Sequence, residues 1–103
     1  MIRHIVLIKF KDLSDSEIAD IWQELHAITD HVDGLVAIHA GRSESPEQIE
    51  RGYLHGFTAD FTSWDALAAY AEHPMHQKLG ARLVANAIGG LDGILVFDLP
   101  FVA

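Results

Sequence analysis

The chain is organised around the stretch Tyr70-Ala71-Glu72-His73-Pro74-Met75-His76, which joins two helical runs. A proline disfavours helical geometry in the residue before it, so the first helix should end by His73. Pro74 itself suits the first turn of a new helix. The stretch therefore predicts a joint between two helices, with a phenol on one side of it and an imidazole on the other.

Length and composition favour one small globular domain. The 103 residues leave no room for a second core, so we expect a single domain over residues 1–103. The formal charge of −8 argues against nucleic acid or an anionic membrane as a partner, because both bind basic surfaces. Since the chain has no cysteine, disulfides and thiolate chemistry are excluded.

We expect neither a signal peptide nor a membrane-spanning segment from this sequence. The residues that open the chain are too few and too polar for a signal peptide. No apolar run approaches the roughly 20 residues that cross a bilayer. A cytoplasmic protein is therefore expected.

The remaining elements follow from the periodicity of the apolar residues. Strands are predicted over 3–10, 35–41, 53–61 and 94–97, each rich in β-branched or aromatic residues. Ser14 and Glu17 form a capping box that opens a helix, which should end at Gly34. The helix before the joint should turn four apolar residues inward: Trp64, Leu67, Ala68 and Ala71. This order of elements predicts an α+β fold, a ferredoxin-like βαββαβ subunit with an antiparallel sheet and helices on one face.

The two faces of the first strand have different consequences. Its even-numbered residues, His4 among them, should face the helices, which leaves Ile5 and Leu7 on the other face. Packing that second face on a twofold copy of itself is the simplest way to cover it. We therefore expect a homodimer that associates through the sheet face.

Four polar side chains could converge beneath the helix joint: those of Tyr70, His76, His4 and His55. His76 shares a helix face with Leu79 and Gly80, so it should point toward the sheet. A glycine inside a helix costs about 1 kcal/mol relative to alanine, so Gly80 is expected to leave room for a ligand. His4 and His55 enter from the sheet, His55 beside Phe57. Polar groups inside an apolar cavity predict a pocket for a small hydrophobic ligand.

The chemistry that suits this set is proton transfer beside a carbonyl group. His76 would act as general base and Tyr70 as hydrogen-bond donor to the developing oxyanion. The alternative is structural: histidines on apolar faces are commonly satisfied by hydrogen bonds within the protein, and His73 before a proline favours an N-cap. His73 and His76 lack the carboxylates and the helical register of a metal site, so no metal and no cofactor are predicted.

Segments along nearly the whole chain resemble the stress-responsive dimeric α/β-barrel (Dabb) family. They are His4-Ile5-Val6-Leu7-Ile8-Lys9-Phe10-Lys11, Gly34 with Gly41-Arg42, Gly52-Tyr53-Leu54-His55, the 70–76 stretch and Val96-Phe97-Asp98. The resemblance implies a subunit whose sheet packs on a twofold mate to form a barrel.

The resemblance also implies chemistry at particular positions. One plant member is a cyclase that converts a linear polyketide into a ring by an aldol-type reaction. Its catalytic residues match Tyr70 and His76, and residues of its pocket match His4, His55 and Gly80. Trp22 and Leu79 stand where further wall residues would be. Some plant members bind a cation through backbone carbonyls, here near residues 29–35.

Three functions remain open at this stage. The first is a cyclase- or isomerase-like enzyme that uses Tyr70 and His76. The second is a non-catalytic, stress-associated dimer whose histidines are structural. The third is a haem-handling barrel, which needs a histidine that projects into an open cavity.

Overall fold

The computed structural model describes all 103 residues and has four strands, three α-helices and two short 3₁₀ turns. The strands are β1 (Ile2–Ile8), β2 (Leu35–Arg42), β3 (His55–Phe61) and β4 (Ile94–Pro100). The helices are α1 (Asp15–His26), α2 (Trp64–Glu72) and α3 (Pro74–Asn86). The 3₁₀ turns span Thr29–His31 and Gly90–Gly93. None of the helices has the length and apolar character that a membrane span requires.

The strands form one antiparallel sheet in the order β2-β3-β1-β4. The element order and the sheet order together are those of a ferredoxin-like α+β fold, which confirms the predicted fold class. Strand β1 is central and pairs with both β3 and β4.

The core lies between one face of the sheet and the helices. Val6 and Ile8 of β1 and Phe57, Ala59 and Phe61 of β3 are buried there, as the alternation predicts. The other face of the sheet carries exposed apolar side chains on β4. The helices therefore cover one face of the sheet, and we call the other face, which no helix covers, the open face.

The first helix is shorter than predicted. Its capping box is present, because the Ser14 hydroxyl accepts from the Glu17 amide and the Glu17 carboxylate accepts from the Ser14 amide. However, the α-helix ends at His26, and a 3₁₀ turn follows before Gly34. Ile28 and Val32, which flank the 3₁₀ turn, are nevertheless buried in the core.

The inward face of α2 differs from the predicted one. Ala66 and Tyr70 are the buried residues, whereas Trp64, Ala68 and Ala71 are exposed and Leu67 is half-buried. A helix with this many alanines has no sharp apolar stripe, so packing decides which side faces the sheet. The consequence is that Tyr70 lies in the core itself.

Candidate functional site

The joint between α2 and α3 brings Tyr70 and His76 together. The His73 side chain accepts a hydrogen bond from the Met75 amide at 3.1 Å and caps α3, and Pro74 follows in the first turn. The N-cap predicted for His73 is confirmed. The chain therefore turns sharply, and the rings of Tyr70 and His76 lie 4.3 Å apart between centroids.

Tyr70 has a buried hydroxyl without a partner. The residue is only 1% exposed, and its hydroxyl oxygen makes no hydrogen bond. Its ring packs 5.1 Å from Phe61 and 5.8 Å from His4. Burial raises the pKa of the phenol, so it stays protonated and is available as a donor.

His76 is held in one tautomer when it is neutral. Its Nδ1 lies 3.0 Å from the Ala71 carbonyl oxygen, which can only accept, so Nδ1 carries the proton. The lone pair is then on Nε2, the nitrogen that a general base would use. Burial is the main cause that lowers the pKa of His76; the Ala71 hydrogen bond opposes the shift, and the charge of His4 adds to it.

His4 joins the pair from the sheet, together with a carboxylate that sequence reasoning missed. Its Nδ1 lies 2.6 Å from an Asp98 oxygen, and the two residues are directly opposite on β1 and β4. The sequence contains Asp98 within a segment that resembles the family. Its contact with His4, however, depends on the pairing of strands that are 94 residues apart at this point.

The other predicted residues lie beside this group. His55 packs 5.4 Å from Phe10, which packs 5.8 Å from Trp22. Phe57 connects the two groups, because its ring is 6.2 Å from both His4 and Trp22. Leu79 is buried in the core nearby. His55 therefore contacts the aromatic wall, while His4 contacts Tyr70. Burial and the charge of Arg42 lower the pKa of His55, with burial the larger cause.

Open space is found on α3 at Gly80, one turn after His76. A Cβ added at Gly80 would meet nothing within 4 Å. Val96 is exposed although its position on β4 faces the helical side, since its neighbour opposite is the buried Val6. Two concave surfaces lie elsewhere, one at the 42–54 loop and one on the sheet face that the helices do not cover. No group of three or more His, Asp or Glu side chains could hold a metal ion.

Solved structures share this architecture and define its class. A dimeric ferredoxin-like protein of unknown function from Jannaschia sp. CCS1 is 35% identical, with a TM-score of 0.90 and coverage of 97% of this chain and 98% of that one. The Arabidopsis thaliana protein At3g17210 is 27% identical, with a TM-score of 0.87 and coverage of 100% of this chain and 97% of that one. The fold is shared by a hydroxynitrile lyase from Passiflora edulis, which is 19% identical. Its TM-score is 0.81, with coverage of 95% of this chain and 90% of that one. The class is thus the ferredoxin-like subunit.

The family follows from the sequence comparison. The family model of the stress-responsive A/B barrel domain matches residues 2–101. The stress-response A/B barrel domain-containing protein HS1 from Arabidopsis thaliana is 31% identical over 98 residues, which are 94% of this chain and 86% of that protein. The chain belongs to the stress-responsive A/B barrel (Dabb) family, as its sequence segments predicted.

Proposed function

We propose that this protein is a homodimer that binds a small hydrophobic carbonyl compound at Tyr70 and His76 and acts on it by general acid–base chemistry. The reaction class is cyclase- or isomerase-like. The observation that supports it most directly is the unpaired, buried hydroxyl of Tyr70 beside the free Nε2 position of His76. A buried polar group without a partner costs about 1–3 kcal/mol, and a ligand oxygen would remove that cost.

The two side chains supply complementary halves of one step. Nε2 of His76 takes a proton from the carbon next to the carbonyl, and the electron pair moves onto the carbonyl oxygen. The Tyr70 hydroxyl donates a hydrogen bond to that oxygen as its negative charge develops. In a cyclase, the enolate carbon then attacks a second carbonyl of the same ligand, and the alkoxide that forms takes the proton from His76. In an isomerase, the enolate takes that proton back at another carbon.

Burial favours both roles. It keeps the phenol protonated and holds His76 neutral near pH 7, because it raises the pKa of the first and lowers that of the second. A hydrogen bond to an oxyanion is also stronger where water is excluded. The rings of Tyr70 and His76 are tilted and only 4.3 Å apart, which leaves no room for a ligand between them. In this proposal the ligand approaches from the side of Gly80 and Val96. Trp22, Phe57 and Leu79 form the apolar wall, and His4 and His55 are polar contacts.

The non-catalytic reading has its own support. His73 caps α3, and His4 is bonded to Asp98, so two of the histidines are already satisfied within the chain. Neither bond uses Tyr70 or His76. The two readings therefore differ only in whether this pair meets a ligand.

The test is ligand titration followed by histidine and aromatic NMR signals. The probes are alkyl-substituted 2,4-dihydroxybenzoic acids, which present a hydrogen-bond-accepting carboxyl group and an apolar tail. Saturable shifts of the His76 and Tyr70 signals are expected. His76→Phe should abolish the shift of the Tyr70 signal, and Gly80→Leu should abolish both shifts. His26→Phe, which changes an exposed histidine of α1, is the matched control and should keep them.

Two results would reject the enzymatic proposal. One is the absence of saturable shifts with every probe. The other is a shift of the Tyr70 signal that persists unchanged in His76→Phe, because binding would then not depend on His76. A Soret band that forms on addition of haem and is lost in His76→Phe would instead support the haem-handling alternative.

A further inference from the structure

The 42–54 loop, which connects β2 to β3, encloses a polar concave surface. The loop is much longer than the roughly two to five residues of an ordinary hairpin connection. The concave surface has a volume of about 830 Å³, within the range of about 300–1,000 Å³ that small-molecule sites span. We call it the polar cup. Besides two carboxylates, its lining includes the guanidinium groups of Arg42 and Arg51, the hydroxyl groups of Ser43 and Ser45 and the amide of Gln48.

The four arginines of the chain differ in their pairing. Arg3 and Arg82 are each bonded to carboxylates of neighbouring elements. Arg42 and Arg51, the two that line the polar cup, form no ion pair. Acidic residues outnumber Lys and Arg by 15 to 7 in this chain, so a shortage of carboxylates does not explain the difference. Two unpaired guanidinium groups therefore share one concave surface.

The carboxylates of the polar cup do not neutralise these arginines. Glu50 accepts a hydrogen bond from the Ser43 hydroxyl. This bond is the largest cause that lowers the pKa of Glu50, and the charge of Arg42 is the smallest. Glu44, the other acidic residue of the lining, is exposed and forms no ion pair. The guanidinium donors of Arg42 and Arg51 thus remain available to a ligand.

Arg51 has a backbone conformation that suits a glycine better than an arginine. Arg51 and Gln48 are the two non-glycine residues of the chain with positive φ, at 59° and 55°. This left-handed conformation is unfavourable for residues that carry a Cβ, and such strain is concentrated at binding and catalytic sites. Gly52, with φ of 91°, follows directly. The backbone of the loop alone therefore does not account for an arginine at position 51.

Hydrogen bonds and one cation–π contact hold the loop in shape. At its base the Ser43 amide donates to the Leu54 carbonyl at 2.8 Å, and the Ser45 amide donates to the Ser43 hydroxyl at 3.3 Å. The Lys9 ammonium lies 4.6 Å from the centre of the Tyr53 ring. Because the polar cup is formed before any ligand arrives, less conformational entropy is lost on binding.

We infer that the polar cup binds a small polar molecule through a phosphate or carboxylate group, which Arg42 and Arg51 contact. The planar guanidinium presents paired N–H donors that match the oxygen atoms of either group. The polar cup is larger than one such group, and its hydroxyl and amide side chains suit the polar remainder of the molecule. Tyr70 and His76 do not line it, so this inference is independent of the proposed function.

The experiment is an NMR titration at constant ionic strength, with inorganic phosphate and succinate as separate probes. The signals followed are the Nε–H groups of the arginines and the backbone amides of the 42–54 loop. Saturable shifts at Arg42 and Arg51 are expected with at least one probe. Arg42→Gln and Arg51→Gln should each raise the Kd by about tenfold or more, because each removes charge-assisted hydrogen bonds. Lys78→Gln, which removes an exposed charge of α3, is the matched control and should leave the Kd unchanged.

A further variant separates binding from folding. Glycine adopts the left-handed conformation readily, so Arg51→Gly should be at least as stable as the wild type and should still weaken binding. Saturation by phosphate alone assigns a phosphate group to the ligand, and saturation by succinate alone assigns a carboxylate. The inference is overturned if neither probe saturates the shifts. It is also overturned if Lys78→Gln raises the Kd as much as Arg42→Gln and Arg51→Gln do, because the effect would then come from net charge alone.

Discussion

The two faces of the sheet use similar residues for opposite purposes. On the helical face, Phe57 and Phe61 are buried with Tyr70, and the half-buried imidazoles of His4 and His76 pack against them. On the open face, Leu95 and Phe97 are exposed around two glycines. The helices cover most of the helical face, which leaves Val96 exposed and one buried hydroxyl unpaired. The open face is incomplete along its whole length.

This difference indicates where each kind of partner would bind. The unpaired Tyr70 hydroxyl inside an apolar cluster needs a single hydrogen-bond acceptor, which an oxygen atom of a small molecule can provide. A broad apolar face requires a surface of matching shape. Three predictions test the contrast, from the largest expected effect to the smallest.

The largest effect is expected from phenylalanines on the two faces. Phe61→Ala removes a fully buried ring, so it should lower the free energy of unfolding by about 3–5 kcal/mol at every protein concentration. Phe97→Ala, on the open face, should lower stability only at concentrations where the wild type is dimeric. Urea denaturation at two widely separated concentrations measures both. If Phe97→Ala still costs as much as Phe61→Ala on dilution, the two faces do not differ as described.

A smaller effect of opposite sign is expected at the buried phenol. Tyr70→Phe removes a hydroxyl that has no partner, so it should raise the free energy of unfolding by about 1 kcal/mol. The same variant should weaken binding of the carbonyl probes, because the donor is lost. Tyr53→Phe, at a half-buried tyrosine outside this cluster, is the control. Destabilisation of Tyr70→Phe would show that the hydroxyl is satisfied in the folded protein, for example by a buried water.

The smallest effect concerns pH. The pKa of His76 is lower in the folded chain than its ordinary value of 6.5, so the unfolded chain takes up this proton more readily. Above pH 6.5 His76 is mostly neutral in both the folded and the unfolded chain. The free energy of unfolding should therefore fall as the pH drops from about 6.5 toward the lower pKa of the folded chain. His55, whose pKa is also lowered, acts in the same direction.

Thermal denaturation between about pH 7 and about pH 5 measures this linkage. His76→Gln should lose less stability over this interval than the wild type, and His26→Gln is the matched variant at an exposed histidine. An equally steep loss in His76→Gln and in the wild type would mean that the titration of His76 is not linked to folding.

Local signals predicted the elements and several of their ends. The capping box at Ser14 and Glu17 and the cap formed by His73 are found as expected, because each depends on residues within three positions of one another. The predicted end of α1 and the predicted inward face of α2 were wrong. Both are decided by contacts with the sheet, and neither a 3₁₀ turn nor a helix rich in alanine has a strong local pattern.

The candidate site was predictable in part. His76 could be oriented from its helical spacing to Leu79 and Gly80, and His4 from the alternation of β1. Asp98 could not be assigned, since its partner His4 lies 94 residues away. The unpaired state of the Tyr70 hydroxyl could not be predicted either, because it depends on everything that packs around it.

The sequence by itself determined the fold class, the family and the helix joint at His73-Pro74, since periodicity, capping and proline geometry act over a few residues. The tertiary structure alone decided that Tyr70 lies in the core against His76, that Asp98 meets His4, and that Gly41 and Gly56 are neighbours on the open face. Each of these contacts joins elements that are brought together only when the strands pair and the helices pack. Their chemistry therefore depends on distances that no local pattern specifies.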